Sequence, residues 1–537
     1  MSNDNYNNRK QLEQLQRPTT YNLQPYMKRL LYICLLISSS AFAQESADAI
    51  RYSMTDHGGT ARSRAIGGAV TALGGDLSAA YVNPAGIGLY KTGELTFSPS
   101  LFLNRSKTDY LNTSNKEKKN GYDYNNFGVV LPKDGSYNGR WSNFTFSIGM
   151  VSPVNFSNKV FLSGNNNQSS FSEKYLEELV KNNVTDPNKA ATGFPYGSSL
   201  AFNTYLIDTL LNPNYTIKGY RSLAPISSGL IQQNTVTTNG GIRDFFMSAS
   251  ANYSDKVYFG GTVVFSKLTF ERNSVFRESD ITKKLNNFNY FESEDYLYTS
   301  GVGVGIKAGI IARPTKDFRI GVSYHSPLVY SMIDDYSAKI TTDLEGYMGN
   351  GVLKQSSLDL NNGSMGQYQY NFTRPSKLLF GICYTLSSDE NVKNQKGFVS
   401  ADVEYDNYKN AKFTPTINSA YNNGGDYLNE VNTNLKTQYK SGLNIRLGGE
   451  LKFNVLMARM GFNYMTNTFT TSGISNKRMN LSTGLGYRNK GYFVDLTYIY
   501  QIWNDAYYPY RLEQAYFAPS YLKNGSSNVV LTVGFKF

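Results

Sequence analysis

The stretch Asn528-Val529-Val530-Leu531-Thr532-Val533-Gly534-Phe535-Lys536-Phe537 closes the chain. Val529, Leu531, Val533, Phe535 and Phe537 share one parity, and Thr532, Gly534 and Lys536 share the other. Successive side chains of a strand point to opposite faces, so this segment reads as a strand with one apolar and one polar side. A soluble chain rarely ends this way. The pattern suits a wall that meets lipid on one side and a polar lumen on the other.

The opposite end points to the same compartment. Met27-Lys28-Arg29 precedes the apolar run Leu30–Ile37 and then small residues up to Ala41-Phe42-Ala43. A charged region, a short apolar core and an A-x-A-like cleavage site make an export signal. Residues 1–43 are therefore read as a polar, Asn/Gln-rich extension followed by a signal starting at Met27, with a mature chain beginning at Gln44. The apolar run is too short to cross a bilayer as a helix, and no other stretch approaches the roughly 20 apolar residues required. Of the 2 cysteines, Cys34 lies in the signal, which leaves Cys383 without an intramolecular partner. Apolar signal continues past Cys34, which argues against a lipoprotein. His57 and His325 are the 2 histidines, which argues against a multi-histidine metal site; no cofactor is expected.

Hydrophobic residues make up 40% of the chain, alongside 43 Tyr, 31 Phe and 47 Gly, and the mean hydropathy is -0.41. A soluble protein of this length would carry several apolar cores. A transmembrane barrel explains the combination, because half of each strand faces a polar lumen, loops are hydrophilic and aromatics form girdles at the interfaces. The net charge of +12 is scattered without a nucleic-acid motif and reads as solvated loops and lumen, so no nucleic-acid partner is expected.

From Glu94 to Phe537 about fourteen strand-like segments recur, an even number as an up-and-down barrel requires. Ser254-Asp255, Arg313–Asp317, Phe453-Asn454-Val455 and Arg488–Gly491 read as tight periplasmic turns. The segments Glu94–Asn104 and Asp123–Pro132 are expected to be strands with a loop between them. Long extracellular loops are expected at about 154–240 and 331–365. The first contains Phe171–Val180, which has helical spacing, and a long loop with its own structure can cap or gate a site. Arg374-Pro375 could be a turn or a kink; a turn gives an odd count, so Pro375 is read as a kink or bulge in one long strand. The expected fold is an all-β transmembrane antiparallel β-barrel over residues 94–537, in the outer membrane, with residues 44–93 plugging it.

The plug reading rests on Gly58-Gly59-Thr60-Ala61, Gly67-Gly68-Ala69, Ala72-Leu73-Gly74-Gly75-Asp76 and Asn83-Pro84-Ala85-Gly86. Such density of Gly and Ala fits backbone packed against backbone in a confined lumen. With this segment, the strand count and the aromatic terminus, the chain resembles the FadL/TodX family of outer-membrane transporters for long-chain fatty acids and other hydrophobic compounds. The resemblance implies a plug, or hatch, inside fourteen strands and a hydrophobic small-molecule ligand that passes from an extracellular groove to a lumenal pocket. It further implies lateral exit into membrane lipid where a strand bends inward. Asn83, Pro84, Ala85 and Gly86 are the hatch or gating candidates, and Gly149 and Pro153 on the third strand are the candidates for the lateral opening. The aromatic terminus resembles the assembly signal of outer-membrane barrels, which assigns Phe535 and Phe537 to recognition by the barrel assembly machinery; a monomer is expected.

Strand parity points Arg446, Glu450 and Lys452 inward, with Arg459 on the next strand, Asp402 and Glu404 on the preceding one, and Lys307 and Asp495 elsewhere. Opposite charges inside a barrel form ladders that hold the wall or fix the plug. The sharper alternative makes Arg446 or Arg459 the partner of a ligand carboxylate, which a guanidinium can bind bidentately. Because some proteins of the type this chain resembles are labelled haemin receptors, Asp56-His57 also invites an electron-transfer or haem-ligand reading, which would make the chain a haemin receptor. Asn-Pro also starts turns, so Asn83-Pro84 can be structural. No G-x-S-x-G elbow or Ser/His/Asp set is apparent, so no enzyme is expected. Passive transport leads, and a barrel scaffold or shuttle of a type IX-like secretion system is the alternative.

Overall fold

The structure, a computed structural model, describes residues 46–135, 139–386, 396–416, 424–471 and 475–537. The expected signal sequence, with Met27 and the expected mature start at Gln44, lies outside the described residues.

Alternation of apolar and polar residues builds a closed antiparallel wall of fourteen strands. Its first arc is β1 (Glu94–Tyr110), β2 (Thr113–Asp134) and β3 (Trp141–Asn155), the last continued upward by β4 (Asn158–Asn166). After a small hairpin, β5 (Ile207–Leu211) and β6 (Ile217–Ser222), the wall resumes with β7 (Leu230–Tyr253), β8 (Val257–Asp280) and β9 (Tyr290–Ala312). The seventh wall strand is β10 (Phe318–His325) continued by β11 (Leu328–Asp343), against which the short β12 (Leu353–Ser356) pairs. The eighth is β13 (Gly366–Arg374) continued by β14 (Lys377–Leu386). Next come β15 (Gly397–Asp406), the short β16 (Lys412–Pro415), β17 (Gly442–Phe453), β18 (Leu456–Met465), β19 (Arg478–Asn489), β20 (Tyr492–Tyr507) and β21 (Ser520–Lys536). Pairing of β1 with β21 closes the ring.

The closing strand follows its sequence parity. Val529, Leu531, Val533, Phe535 and Phe537 are exposed outward, while Val530 and Thr532 are buried inward. Leu95, Phe97 and Leu101 on β1 and Phe259, Val263 and Phe265 on β8 continue this outer belt. So wide an apolar exterior is favourable only against lipid. The Phe537 N–H donates to the Gly93 carbonyl at 3.0 Å, and the Phe537 ring fills the space where a Cβ on Gly93 would stand. The last residue therefore docks beside the start of the first strand.

A membrane strand needs about 9–11 residues, yet β7 and β8 have 24 each. Their upper halves rise above the lipid, and on β8 the outer face changes at Lys267, after Phe265. Around these extensions sits a folded cap. Helices in the long connection include Glu173–Lys181, Pro187–Thr192 and Ser198–Asn203. Phe171 stacks on Phe276 with ring centroids 4.4 Å apart. Beneath it Glu278 is fully buried and accepts from the Phe171 N–H at 2.8 Å and Gln232 Nε2 at 2.7 Å.

The extensions correct the expected loops. Arg105–Gly121 is strand, and Leu111-Asn112 alone joins β1 to β2, both with positive φ (45° and 64°) as a tight hairpin turn needs. The loop expected to last to 240 ends where β7 starts at Leu230, and the one expected from 331 begins only after Asp343. A strand above the membrane meets water outside, so its composition is that of a loop. Pro375 stands in a kink between collinear β13 and β14, as read from the sequence.

The plug comprises α1 (Ser46–Ser53), α2 (Ala61–Ala65), α3 (Ala79–Val82) and a 3-10 turn at Pro84–Leu89. Thr60 caps α2 by accepting from the Ser63 N–H. Glycines in the wall make room for it: a Cβ on Gly448 or Gly461 would overlap the backbone of Ile66 or Gly67. Small residues on both sides thus bring plug and wall into direct backbone contact.

Candidate functional site

The Asn83-Pro84 pair sits where the plug meets the periplasmic half of the wall. Asn83 Oδ1 accepts from the Ala85 N–H at 3.2 Å and starts the 3-10 turn, with Pro84 at a position where no N–H is needed. Asn83 Nδ2 donates to the Thr71 carbonyl at 2.7 Å within the plug, and to the Ile310 and Val322 carbonyls of β9 and β10 at 3.3 and 3.4 Å. One amide therefore ties two plug segments to two wall strands. Gly309 and Gly260 leave the space, since a Cβ on the first would overlap the Asn83 amide and on the second the Pro84-Ala85 peptide. Ala85 is buried, its carbonyl accepting from Ser250 Oγ at 3.3 Å, and the Gly86 carbonyl accepts from the Gly75 N–H at 3.0 Å. The capping role was legible in the dipeptide; its grip on the wall was not.

Above this plug–wall contact the inward charges meet in two groups. Glu404 gathers His57 Nε2 at 2.6 Å, Lys377 Nζ at 3.1 Å and Arg446 Nη1 at 3.1 Å. Glu450 receives Arg62 of α2 at 3.0 Å and Arg459 at 2.6 Å, and Arg459 also reaches Asp495 at 2.6 Å. Asp402 accepts from the Thr71 N–H at 2.9 Å, and Lys307 donates to the Tyr81 carbonyl at 2.8 Å. Each group joins wall to plug, so the ladder reading describes the geometry. Buried charges need such partners, because an unpaired one costs several kcal/mol. His57 is 3% exposed, with Nε2 committed to Glu404 and Nδ1 buried without a hydrogen-bond partner among the described residues. Among the described residues there is no metal-binding cluster of His, Cys, Asp and Glu.

Higher in the lumen the inner face turns aromatic. Tyr52 of α1 lies edge-on to Phe156, Phe270 and Phe372, with centroids 6.0, 6.1 and 5.9 Å away, and Phe372 meets Phe413 at 5.1 Å. These residues come from α1, the β3–β4 junction, β8, β13 and β16. Leu428, Val431 and Leu435 of the helix Gly424–Gln438 extend the same cluster. None was singled out from the sequence, although Val264, Leu268 and Phe270 share the inward parity of β8 and mark that strand as apolar on both faces.

Among the described residues, wall pairing is interrupted beside Pro153 and again beside Pro375, as well as at Ser98-Pro99. Pairing of β2 with β3 ends at Asn126 and Val151, and the β3–β7 register shifts between Val151 and Val154. Pro153 stands at this break, whereas Gly149 lies within the regular ladder opposite Gly128. Side chains fill the gap: Asp123 accepts from Ser152 Oγ at 3.1 Å and Asn155 Nδ2 at 3.0 Å. The plug touches it through the Asp56 N–H, 3.2 Å from the Pro153 carbonyl. At the second lapse, Ser326-Pro327 faces Pro375-Ser376 between the His325–Lys377 and Leu328–Arg374 pairs. Behind it is a cavity of about 20 Å³ lined by His57, Tyr81, Lys307, Arg374 and Lys377, room for about one water.

No family model and no curated relative matches the sequence. Among solved structures, a FadL homologue of Pseudomonas aeruginosa aligns with a TM-score of 0.52 at 12% identity, covering 90% of this chain and 98% of that one. The toluene transporter TodX of P. putida aligns with a TM-score of 0.47 at 13% identity, over 90% of this chain and 99% of its own. The toluene transporter TbuX of Ralstonia pickettii gives 0.44 at 15% identity, over 90% and 99%. With its fourteen-stranded closed wall, lipid-facing belt and lumenal N-terminal plug, the chain has the fold of the FadL-type outer-membrane barrels.

Proposed function

We propose that this protein is a passive transporter that carries hydrophobic small molecules, such as long-chain fatty acids, across the outer membrane. The observation that supports this reading most is the aromatic upper lumen. A water-filled pore has a polar interior, but here Phe270, Phe372 and Phe413 face inward and are buried against one another and Tyr52. Displacing Tyr52 with α1 would expose a chamber suited to an acyl chain or an arene, while the plug below blocks a straight aqueous path. In this reading the ligand leaves sideways at the β2–β3 break beside Pro153, where few backbone hydrogen bonds have to be broken. Arg446 is the better of the two candidate carboxylate partners, because Glu404 holds it through Nη1 alone and its Nε and Nη2 have no hydrogen-bond partner among the described residues, whereas Arg459 is held by both Glu450 and Asp495 and has only Nη2 left over.

The test is uptake of labelled oleate and of a small sugar by cells lacking the protein and by the same cells complemented with it. Complementation restoring oleate uptake without sugar uptake supports the reading. Equal oleate uptake with and without the protein, or a gain in sugar flux alone, refutes it.

A further inference from the structure

On the outer wall at the seam, where the last strand meets the first two, lies a groove that the transport reading does not use. Its floor is β21, where the outward positions below Lys523 are the small Gly525 and Ser527. Tyr500 and Ile502 of β20 form one side. The other side is basic: Arg105 of β1 stands directly across from Lys118 of β2, and Lys107 directly across from both Lys116 of β2 and Lys523 of β21. The groove measures about 590 Å³.

Like charges directly opposite one another in a sheet are destabilising. Asp109 offsets part of this, 3.7 Å from both Lys107 and Lys523. Arg105, Lys116 and Lys118 are exposed and have no ion pair among the described residues. Across the barrel the outward residues above the apolar belt are instead Ser331, Asp335, Gln367 and Gln369, and Arg243, across from Lys267 on β7 and β8, has Asp123 3.9 Å away. Height fixes what the cations at the seam face. From Leu95 to Arg105 the strand climbs roughly 33 Å, about 25 Å vertically at the usual tilt, which is the height of the lipid-facing band. Arg105 therefore stands where acyl chains end and headgroups of the outer leaflet begin. A groove with apolar sides, a small-residue floor and unpaired cations at its upper end matches a lipid whose headgroup carries phosphate.

We propose that this groove binds a phosphorylated glycolipid of the outer leaflet, its phosphate held by Arg105, Lys116 and Lys118 and an acyl chain lying over Gly525 and Ser527 between Tyr500 and β1. The site lies outside the lumen and does not depend on transport. Bound lipid would also cover the seam, where the first and last strands hold the wall closed.

The test uses the purified full chain, with binding of lipid A and of chemically dephosphorylated lipid A followed by native mass spectrometry. Each basic residue near an anionic headgroup contributes about fivefold to binding. The triple variant Arg105→Gln, Lys116→Gln, Lys118→Gln should therefore lose on the order of a hundredfold of lipid A affinity, while Lys267→Gln, on the outer face of β8, should leave it unchanged. Heat-modifiable migration verifies that each variant is a folded barrel; if the triple variant is not, single substitutions replace it, each expected to lose about fivefold. Equal binding of dephosphorylated lipid A by the wild type overturns the proposal, and so does full affinity in folded variants. Displacement of lipid A by an equal concentration of inorganic phosphate would also overturn it, by showing a site for the free ion.

Discussion

Replacing Asn83 tests whether one amide holds the plug closed. Asn83→Ala removes the donor to the Thr71 carbonyl at 2.7 Å, the two longer contacts to Ile310 and Val322, and the cap on the Ala85 N–H. Asn83 is 0% exposed, so the groups left behind stay dry. A buried polar group left unsatisfied costs about 1–3 kcal/mol, and loss of a cap alone about 1 kcal/mol. The latched state should weaken by roughly 2–3 kcal/mol, which shifts the balance between seated and unseated plug by about 30- to 150-fold. Asn83→Asp should be worse. It preserves the cap acceptor but turns a carboxylate oxygen toward the Thr71, Ile310 and Val322 carbonyls in a buried site, where an unpaired charge is far costlier than a missing amide. The wall satisfies its own backbone hydrogen bonds, so heat-modifiable migration should remain that of a folded barrel in both variants. Conductance in planar bilayers and susceptibility of cells to large antibiotics should rise in the order wild type, Ala, Asp. A folded Asn83→Asp protein with wild-type conductance and antibiotic exclusion would refute the latch.

Gly260→Ala places a Cβ into the Pro84-Ala85 peptide, an overpacking strain of about 1–3 kcal/mol; the expected leak in bilayers should appear without loss of folded barrel. Deleting Phe537 removes the ring and N–H that dock at Gly93, and the amount of heat-modifiable barrel in cells should fall. In the cap above the lipid, burial pushes the Glu278 carboxyl up to about 7 from 4.5, against the hydrogen bonds from Phe171, Ser170 and Gln232. Its folded form binds the proton more tightly than its unfolded form, so the cap is most stable below about pH 4.5 and loses roughly 3 kcal/mol as pH rises through 7. Hydrogen exchange of Phe171–Leu179 should therefore quicken between pH 5 and 8 after correction for intrinsic rates, and Glu278→Gln should flatten that dependence. Mass spectrometry of protein extracted from membranes should find the mature chain starting at Gln44.

Local features of the sequence determined the wall. A strand repeats every two residues, so the alternation at Val529–Phe537 and at Gly301–Gly305 declares which side faces lipid without reference to any neighbour. The same parity put Arg446, Glu450, Arg459, Glu404 and Asp495 inside, and a proline after Arg374 marked a kink in a strand. Parity could not say which inward charges meet. Glu404 and His57 are 347 positions apart, and their contact depends on the register of every strand between them and on where the plug comes to rest. The strand extensions above the membrane were hidden for a different reason: with water replacing lipid outside, the alternation that identifies a strand disappears, and Arg105–Gly121 has the composition of a loop. Pairing and closure decided the rest. Cations from the first two strands came to stand beside Lys523 of the last because only the closed ring makes neighbours of residues at opposite ends of the chain, whereas Pro327 faces Pro375 through the pairing of successive wall strands.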